Sequence, residues 1–230
     1  TADWEAPFEI RTREVDPFTN DRLKKGPELE RQALQGFIDV QDETGGVALF
    51  TKGIREAGTV SDGQAIINLT LFRATSNTFP IHNDLLIGFE EETSQCIGPQ
   101  CFEYALYFHA KAAPGEVFSE CRRYQTDLLA AQVGAGRQGD RPETESLFTL
   151  RDARTGVSAV KRSEEGDALI LRLFNPTGEA IRETVAFGRP IRQAALTDMK
   201  EEDSQPLRLN GQTADVDLPP FKIVTLRVEF

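Results

Sequence analysis

Gly45-Gly46-Val47-Ala48-Leu49-Phe50-Thr51-Lys52-Gly53-Ile54-Arg55-Glu56 leads into a turn at Ser61-Asp62-Gly63, and then into Ile66-Ile67-Asn68-Leu69-Thr70-Leu71-Phe72-Arg73. Both runs are rich in β-branched and aromatic residues, and an Asp-Gly pair between two such runs is a strong short-range hairpin signal. Side chains alternate along a strand, so Ile67, Leu69 and Leu71 share one face and Arg73 comes next in that phase. The stretch predicts a hairpin whose buried row is closed by an arginine. It holds no self-contained reaction chemistry.

Working outward, residues 7–15 alternate like a strand, residues 16–30 read as an exposed loop, and 34–40 as a second strand turning into the hairpin at 42–46. Beyond Arg73, residues 74–95 are irregular and end in Glu90-Glu91-Glu92. A strand follows at 102–109, with Phe102, Tyr104, Leu106 and Phe108 in phase. Pro114 opens a helix reaching to about residue 132, since Val117, Cys121, Tyr124, Leu128 and Ala131 recur at three- and four-residue spacing. Residues 134–145 are a loop. Short strands then come at 147–150, 157–161, 168–175, 181–187, 194–197, 213–218 and 221–229, with turn signals between them. That rhythm is the signature of a β-sandwich. The expected architecture is all-β and antiparallel with at most one short helix: a larger sandwich portion over 1–153 and a smaller C-terminal sandwich over 154–230.

Composition narrows the function classes. The chain has 230 residues, 39% hydrophobic and 27% charged, as a soluble globular protein does. Its 26 basic and 37 acidic residues give −11, and the cations are scattered, so the clustered Lys and Arg that nucleic-acid binding needs are not there. No apolar run approaches the ~20 residues that cross a bilayer. Three cysteines, an odd number in a long chain, argue for a reducing, cytoplasmic compartment rather than a disulfide framework. The chain starts at Thr1 in mid-pattern, as an excised segment would.

Most motifs have ordinary readings. Gly134-Ala135-Gly136-Arg137-Gln138-Gly139 fits a phosphate-loop pattern, but helical periodicity precedes it and Asp140-Arg141-Pro142 follows, the reverse of what a phosphate cradle requires. His82-Asn83-Asp84 needs converging ligands to hold zinc, and the other histidine, His109, is on a different element. Cys96 and Cys101 have no second cysteine pair, so they read as a buried small residue and a strand-start residue. The acidic runs read as solvated loops, and no nucleophile-elbow context accompanies either histidine. Asn68-Leu69-Thr70 matches a glycosylation acceptor but lies within a strand. Arg73 stands apart, because a guanidinium at the end of a buried row emerges at the sheet rim, where a carboxylate or a sugar can meet it. Pairing with a neighbouring carboxylate is the commoner outcome there. Arg55, beside Glu56, is a second candidate on the same edge.

An ordered set of short stretches resembles the C-terminal region of glycoside hydrolase family 38, the retaining α-mannosidases. They are Ala6-Pro7-Phe8-Glu9-Ile10, Gly36-Phe37-Ile38-Asp39-Val40, Gly46-Val47-Ala48-Leu49-Phe50-Thr51-Lys52-Gly53, Leu69-Thr70-Leu71-Phe72-Arg73, Gln95-Cys96-Ile97-Gly98 and Phe102-Glu103-Tyr104-Ala105-Leu106. Val157-Ser158-Ala159-Val160-Lys161, Leu171-Arg172-Leu173-Phe174-Asn175-Pro176 and Pro220-Phe221-Lys222-Ile223-Val224-Thr225-Leu226 continue it. The set is closer to the bacterial branch that includes mannosylglycerate hydrolases than to the animal Golgi enzymes.

The resemblance implies a galactose-mutarotase-like supersandwich portion followed by the small sandwich. It also implies that the nucleophilic aspartate and the zinc lie in an N-terminal barrel outside these residues. This chain then has no catalytic residue, cofactor or metal of its own. Its partners are the barrel and helical bundle of the same polypeptide and, through them, an α-mannoside. By position, Arg73 corresponds to an arginine that the family's β domains send to the sugar site, with Arg55 a weaker second. Two other classes compete. A stand-alone carbohydrate-binding module would present exposed aromatics, whereas this chain has Trp4, three Tyr and mostly in-phase Phe. A purely structural domain would meet no sugar.

Overall fold

The computed structural model describes residues 1–13, 15, 32–61, 64–74, 95–134, 139, 142–202 and 204–230. The expectations placed on residues 16–30, on His82-Asn83-Asp84 and Glu90-Glu91-Glu92, and on the glycine loop at 135–138 fall mainly outside these. Backbone contacts gather the chain into two units, Thr1–Ala6 with Thr12–Lys111 and Pro7–Arg11 with Ala112–Phe230. Arg154, where the rhythm of strands and turns places a boundary, falls within the second.

The first unit opens on β1 (Ala2–Ala6), buried along its whole length. Asp3 and Glu5 hide this strand from a hydrophobicity reading. The strand expected over 7–15 is β2 (Glu9–Arg13) only, because Phe8 takes a φ of 63° and makes a turn there. After β3 (Gln32–Ala33) come β4 (Phe37–Gln41) and β5 (Gly45–Lys52). The chain then leaves that sheet, since Gly53 adopts φ 82° and buried Ile54 anchors the turn. The hairpin is therefore β6 (Glu56–Ser61) with β7 (Ala65–Leu69), paired from Ala57↔Leu69 to Ser61↔Ala65, and β5 is not its first arm. Beyond residues 75–94 lies β8 (Glu103–Ala110).

One sheet runs β2-β1-β4-β5-β8 and the other β3-β6-β7. Trp4, Leu34, Ile38, Leu49 and Ala57 form a core, joined by half-buried Ile67 and Leu69. Each large apolar side chain buried there contributes roughly 1.5–3 kcal/mol. The expected row does not continue to Arg73: the strand stops at Leu69, and Leu71 is 43% exposed. Tyr104, Leu106 and Phe108 are in phase as read, but at 54%, 55% and 71% exposure they lie outside the core.

In the second unit, α1 (Pro114–Gln125) starts at a Pro with the Glu116 carboxylate accepting the Ala113 N–H at 3.1 Å. It ends seven residues before the expected 132. Thr126 is extended and its hydroxyl donates to the Arg122 carbonyl, leaving Leu128 and Leu129 almost wholly exposed.

The strands that follow are β9 (Phe148–Leu150), β10 (Gly156–Arg162), β11 (Leu169–Phe174), β12 (Ile181–Phe187) and β13 (Gln193–Thr197). After them come β14 (Ser204–Leu207), β15 (Leu209–Asn210), β16 (Thr213–Leu218) and β17 (Ile223–Glu229). β14 and β15 have no sequence counterpart, and β17 starts after the Phe221 turn (φ 56°) rather than at it. The sheets β10-β11-β17-β13-β14 and β15-β16-β12-β9 enclose Leu171, Leu173, Val185, Val216, Leu226 and Val228. On the outer side of β11, Phe174 meets Phe8 and Phe118 edge-on, with ring centroids 5.1 and 5.9 Å away. Gly156 leaves room for that ring, since a Cβ there would come within 2.3 Å of it. The fold is mostly antiparallel β with a short helix, as the sequence predicts.

Candidate functional site

The two arginines singled out by sequence converge on the start of β6. Arg55 Nη1 donates to the Gln35 carbonyl at 3.1 Å and to its side-chain oxygen at 3.2 Å, while the Arg55 carbonyl accepts from Leu34 N–H at 2.8 Å. Next along, Glu56 organises the Arg73 segment. Its carbonyl accepts the Thr70 N–H at 3.1 Å, one carboxylate oxygen accepts the Thr70 hydroxyl at 2.7 Å, and the other accepts Arg73 Nη2. The Cys96 thiol donates to the Arg73 carbonyl at 3.4 Å. Arg73 is thus held by a carboxylate neighbour, the commoner outcome for a rim arginine.

The Arg73 side chain remains 61% exposed against 25% for Glu56. The hydrogen bond that Arg73 donates to Glu56, and then the Glu56 charge, raise the guanidinium above its usual range, so it is a permanent cation. A guanidinium carries five N–H donors, and one carboxylate contact leaves others for a hydroxyl or carboxylate from outside. The geometry supplies an oriented donor, not a proton-transfer group. Neither arginine lines the grooves of about 560 Å³ along β13 and β17 and about 660 Å³ beside the β4–β5 turn.

Sequence reasoning passed over a second polar group in the first unit. His109 Nε2 lies 2.9 Å from Asp39 Oδ1, and its Nδ1 lies 2.7 Å from the Ala110 carbonyl. Their side chains are 5% and 0% exposed. Asp3 stands in register with Asp39, accepting from the Thr12 hydroxyl and, at 3.3 Å, from Gln41 Nε2. Tyr107 stacks on the imidazole at 5.4 Å, and Gly46 leaves space for the ring. Burial pulls the His109 imidazole down, yet two facing acceptors and the Asp39 charge outweigh it and leave it raised. Burial likewise lifts Asp39. With no access for a substrate, the pair is a closed proton-holding element. A carboxylate in phase with Phe37, in an otherwise apolar run of Phe37, Ile38 and Val40, was the available signal.

Among the described residues, no three His, Cys, Asp or Glu side chains come together as a metal ion needs. None of the three cysteines is in a disulfide: Cys96 is partly exposed, Cys101 exposed and Cys121 buried. Cys96 is thus not the buried residue expected. No helix among the described residues is long and apolar enough to cross a membrane.

Comparison with known proteins bears on what this surface belongs to. A family model described as "Glycosyl hydrolases family 38 C-terminal beta sandwich domain" matches residues 156–226. A protein of Halalkalibacterium halodurans named "Putative mannosylglycerate hydrolase" is 26% identical over 220 residues, 93% of this chain and 22% of that protein. The crystal structure of an α-mannosidase from Enterococcus faecalis V583 superposes with TM-score 0.74 at 25% identity, covering 98% of this chain and 24% of that one. A family 38 structure from Enterococcus faecalis shares the fold at TM-score 0.75 and 24% identity, with the same coverage. The chain therefore spans less than a quarter of the length of these relatives. Residues 156–226 thus match the C-terminal β-sandwich domain of glycoside hydrolase family 38, and the chain as a whole is similar in sequence and fold to part of these longer proteins.

Proposed function

We propose that this chain is the non-catalytic C-terminal β region of a retaining α-mannosidase, which braces a catalytic barrel and lends Arg73, with Arg55 in support, to the sugar site. The observation carrying this reading is coverage: 98% of the chain superposes on 24% of an α-mannosidase, so about three quarters of such a protein lies elsewhere. Carboxylates of that remaining polypeptide would perform the glycosyl transfer, one as nucleophile and one as acid. Zinc would be held there too. What this chain contributes is a fixed cation: Glu56 sets the Arg73 fork in one orientation, so less freedom is lost when a sugar hydroxyl or an anionic aglycone arrives. The named relative makes a mannosylglycerate-type substrate, with its carboxylate, the first to try.

The test is Arg73→Ala in the full-length enzyme. A charged hydrogen bond is worth about 1.5–3 kcal/mol, so kcat/KM on an α-mannoside should fall at least ~10-fold. Unchanged kinetics would remove Arg73 from the site.

A further inference from the structure

β8 ends its sheet, and among the described residues no strand pairs with its second edge. Its other side is in unbroken register with β5 over eight pairs, from Gly45↔Ala110 to Lys52↔Glu103. Edges of this kind are normally blunted by proline, bulges, charges or a cover, because a long flat one templates further pairing. The register to β5 shows no bulge, and Tyr104-Ala105-Leu106-Tyr107-Phe108 include neither proline nor charge, with Glu103 before them and His109 after.

Its exposed face is an extension of the core. Leu106 stands opposite Leu49, Leu49 opposite Ile38, and Ile38 opposite Trp4. Trp4, Ile38 and Leu49 are covered by Ala57, Ile67 and Leu69 of the facing sheet. That cover stops short of β8, where Tyr104, Leu106 and Phe108 stand open. Phe72, 52% exposed and stacked on Phe102 at 6.0 Å, borders the patch. An apolar row that is core at one end and bare at the other is a sandwich whose cover comes from elsewhere.

We infer that a strand from the polypeptide its relatives carry beyond this region adds to the free edge of β8 and lays apolar side chains over Tyr104, Leu106 and Phe108. The occupant is assigned from length, since the aligned relatives are more than four times longer than the part this chain matches. Backbone pairing supplies affinity and the alternating side chains set the register. The inference rests on the proposed reading that this chain belongs to such a polypeptide.

Amide hydrogen exchange of residues 103–110 tests it, comparing the 230-residue chain with the full-length protein. Exchange at least ~10-fold slower in the full-length protein is expected, and Leu106→Lys with Phe108→Lys should abolish that protection. Slow exchange already in the 230-residue chain, or protection that grows with its concentration, would overturn the inference by assigning the seat to this chain or to a second copy. Equally fast exchange in both would overturn it too. Activity on an α-mannoside separates the two claims. A cleaving enzyme with a fast-exchanging β8 sinks the strand seat alone, and an inactive one with a protected β8 sinks the mannosidase reading alone.

Discussion

Glu183 is the residue whose removal the second unit should tolerate least. It sits in the inward row of β12 between Ile181 and Val185, wholly buried, where periodicity calls for an apolar side chain. Its carboxylate accepts the backbone N–H groups of Arg151 at 2.7 Å, Asp152 at 3.3 Å and Thr184 at 2.8 Å, together with the Thr155 hydroxyl. The segment entering β10 is thus hung from one side chain of the opposite sheet. Glu183→Ala strands four donors at once. Each orphaned buried donor costs about 1–3 kcal/mol, and water entering the turn recovers part of it, so the net loss should be about 3–5 kcal/mol. Thermal unfolding by far-ultraviolet circular dichroism should shift down by roughly 6–20 °C, taking 2–4 °C per kcal/mol. Glu183→Gln keeps one acceptor and the shape, so it should lose about 1–2 kcal/mol and stay folded where the alanine variant does not. An alanine variant melting within about 2 °C of the parent would refute the idea that this carboxylate holds the turn.

Two further outcomes follow from groups with perturbed protonation. Burial pushes the Cys121 thiol up to about 12, so in the native chain a thiol reagent should modify Cys96 and Cys101 quickly and reach Cys121 only on unfolding; three fast thiols would contradict the packing of α1. His109 is raised in the folded state, which therefore binds its proton more tightly than the unfolded chain does. Its stabilisation is complete below 6.5 and is lost as pH rises through the raised value. Asp39, lifted by burial, acts with the same sign at more acidic pH, from 3.8 upward. Urea midpoints should decline as pH rises above 6.5 and decline less in His109→Gln, with His82 common to both proteins. Parallel pH profiles would refute the assignment.

How far the sequence could be read depended on whether local pattern and burial agreed. β12 and β16 alternate cleanly and pack one face each, so their limits at Ile181–Phe187 and Thr213–Leu218 are those the pattern predicts. The opening stretch was legible as strands and a hairpin but not in its pairing. Nothing in Lys52-Gly53-Ile54-Arg55 announces that the chain changes sheets there; that follows from a left-handed Gly53 and a pinned Ile54, both tertiary matters. β1 was illegible for the opposite reason. Asp3 and Glu5 look solvent-facing in sequence, yet both are buried, and Asp3 is in register with Asp39, the carboxylate that meets His109.

Arg73 and Arg55 could be singled out from sequence as candidates, but what positions them could not. Phase along Ile67, Leu69 and Leu71 pointed to Arg73 for a reason that fails, since the strand ends at Leu69. What fixes Arg73 is Glu56, seventeen residues back and across the hairpin, meeting it only because β6 and β7 pair in the Ala57↔Leu69 register. One consequence separates a structural arginine from a site arginine. If Arg73 served only to neutralise Glu56, exchanging the two charges would preserve the pair and leave the enzyme's kinetics alone. If it faces a sugar or an anionic aglycone, the exchanged pair would keep the fold and present a carboxylate where a donor is needed. The like-charged contact or lost hydrogen bond would then appear in kcat/KM and not in stability. The fork's 61% exposure favours the second, because a guanidinium kept only for Glu56 gains little from an exposed pair, typically under about 1 kcal/mol.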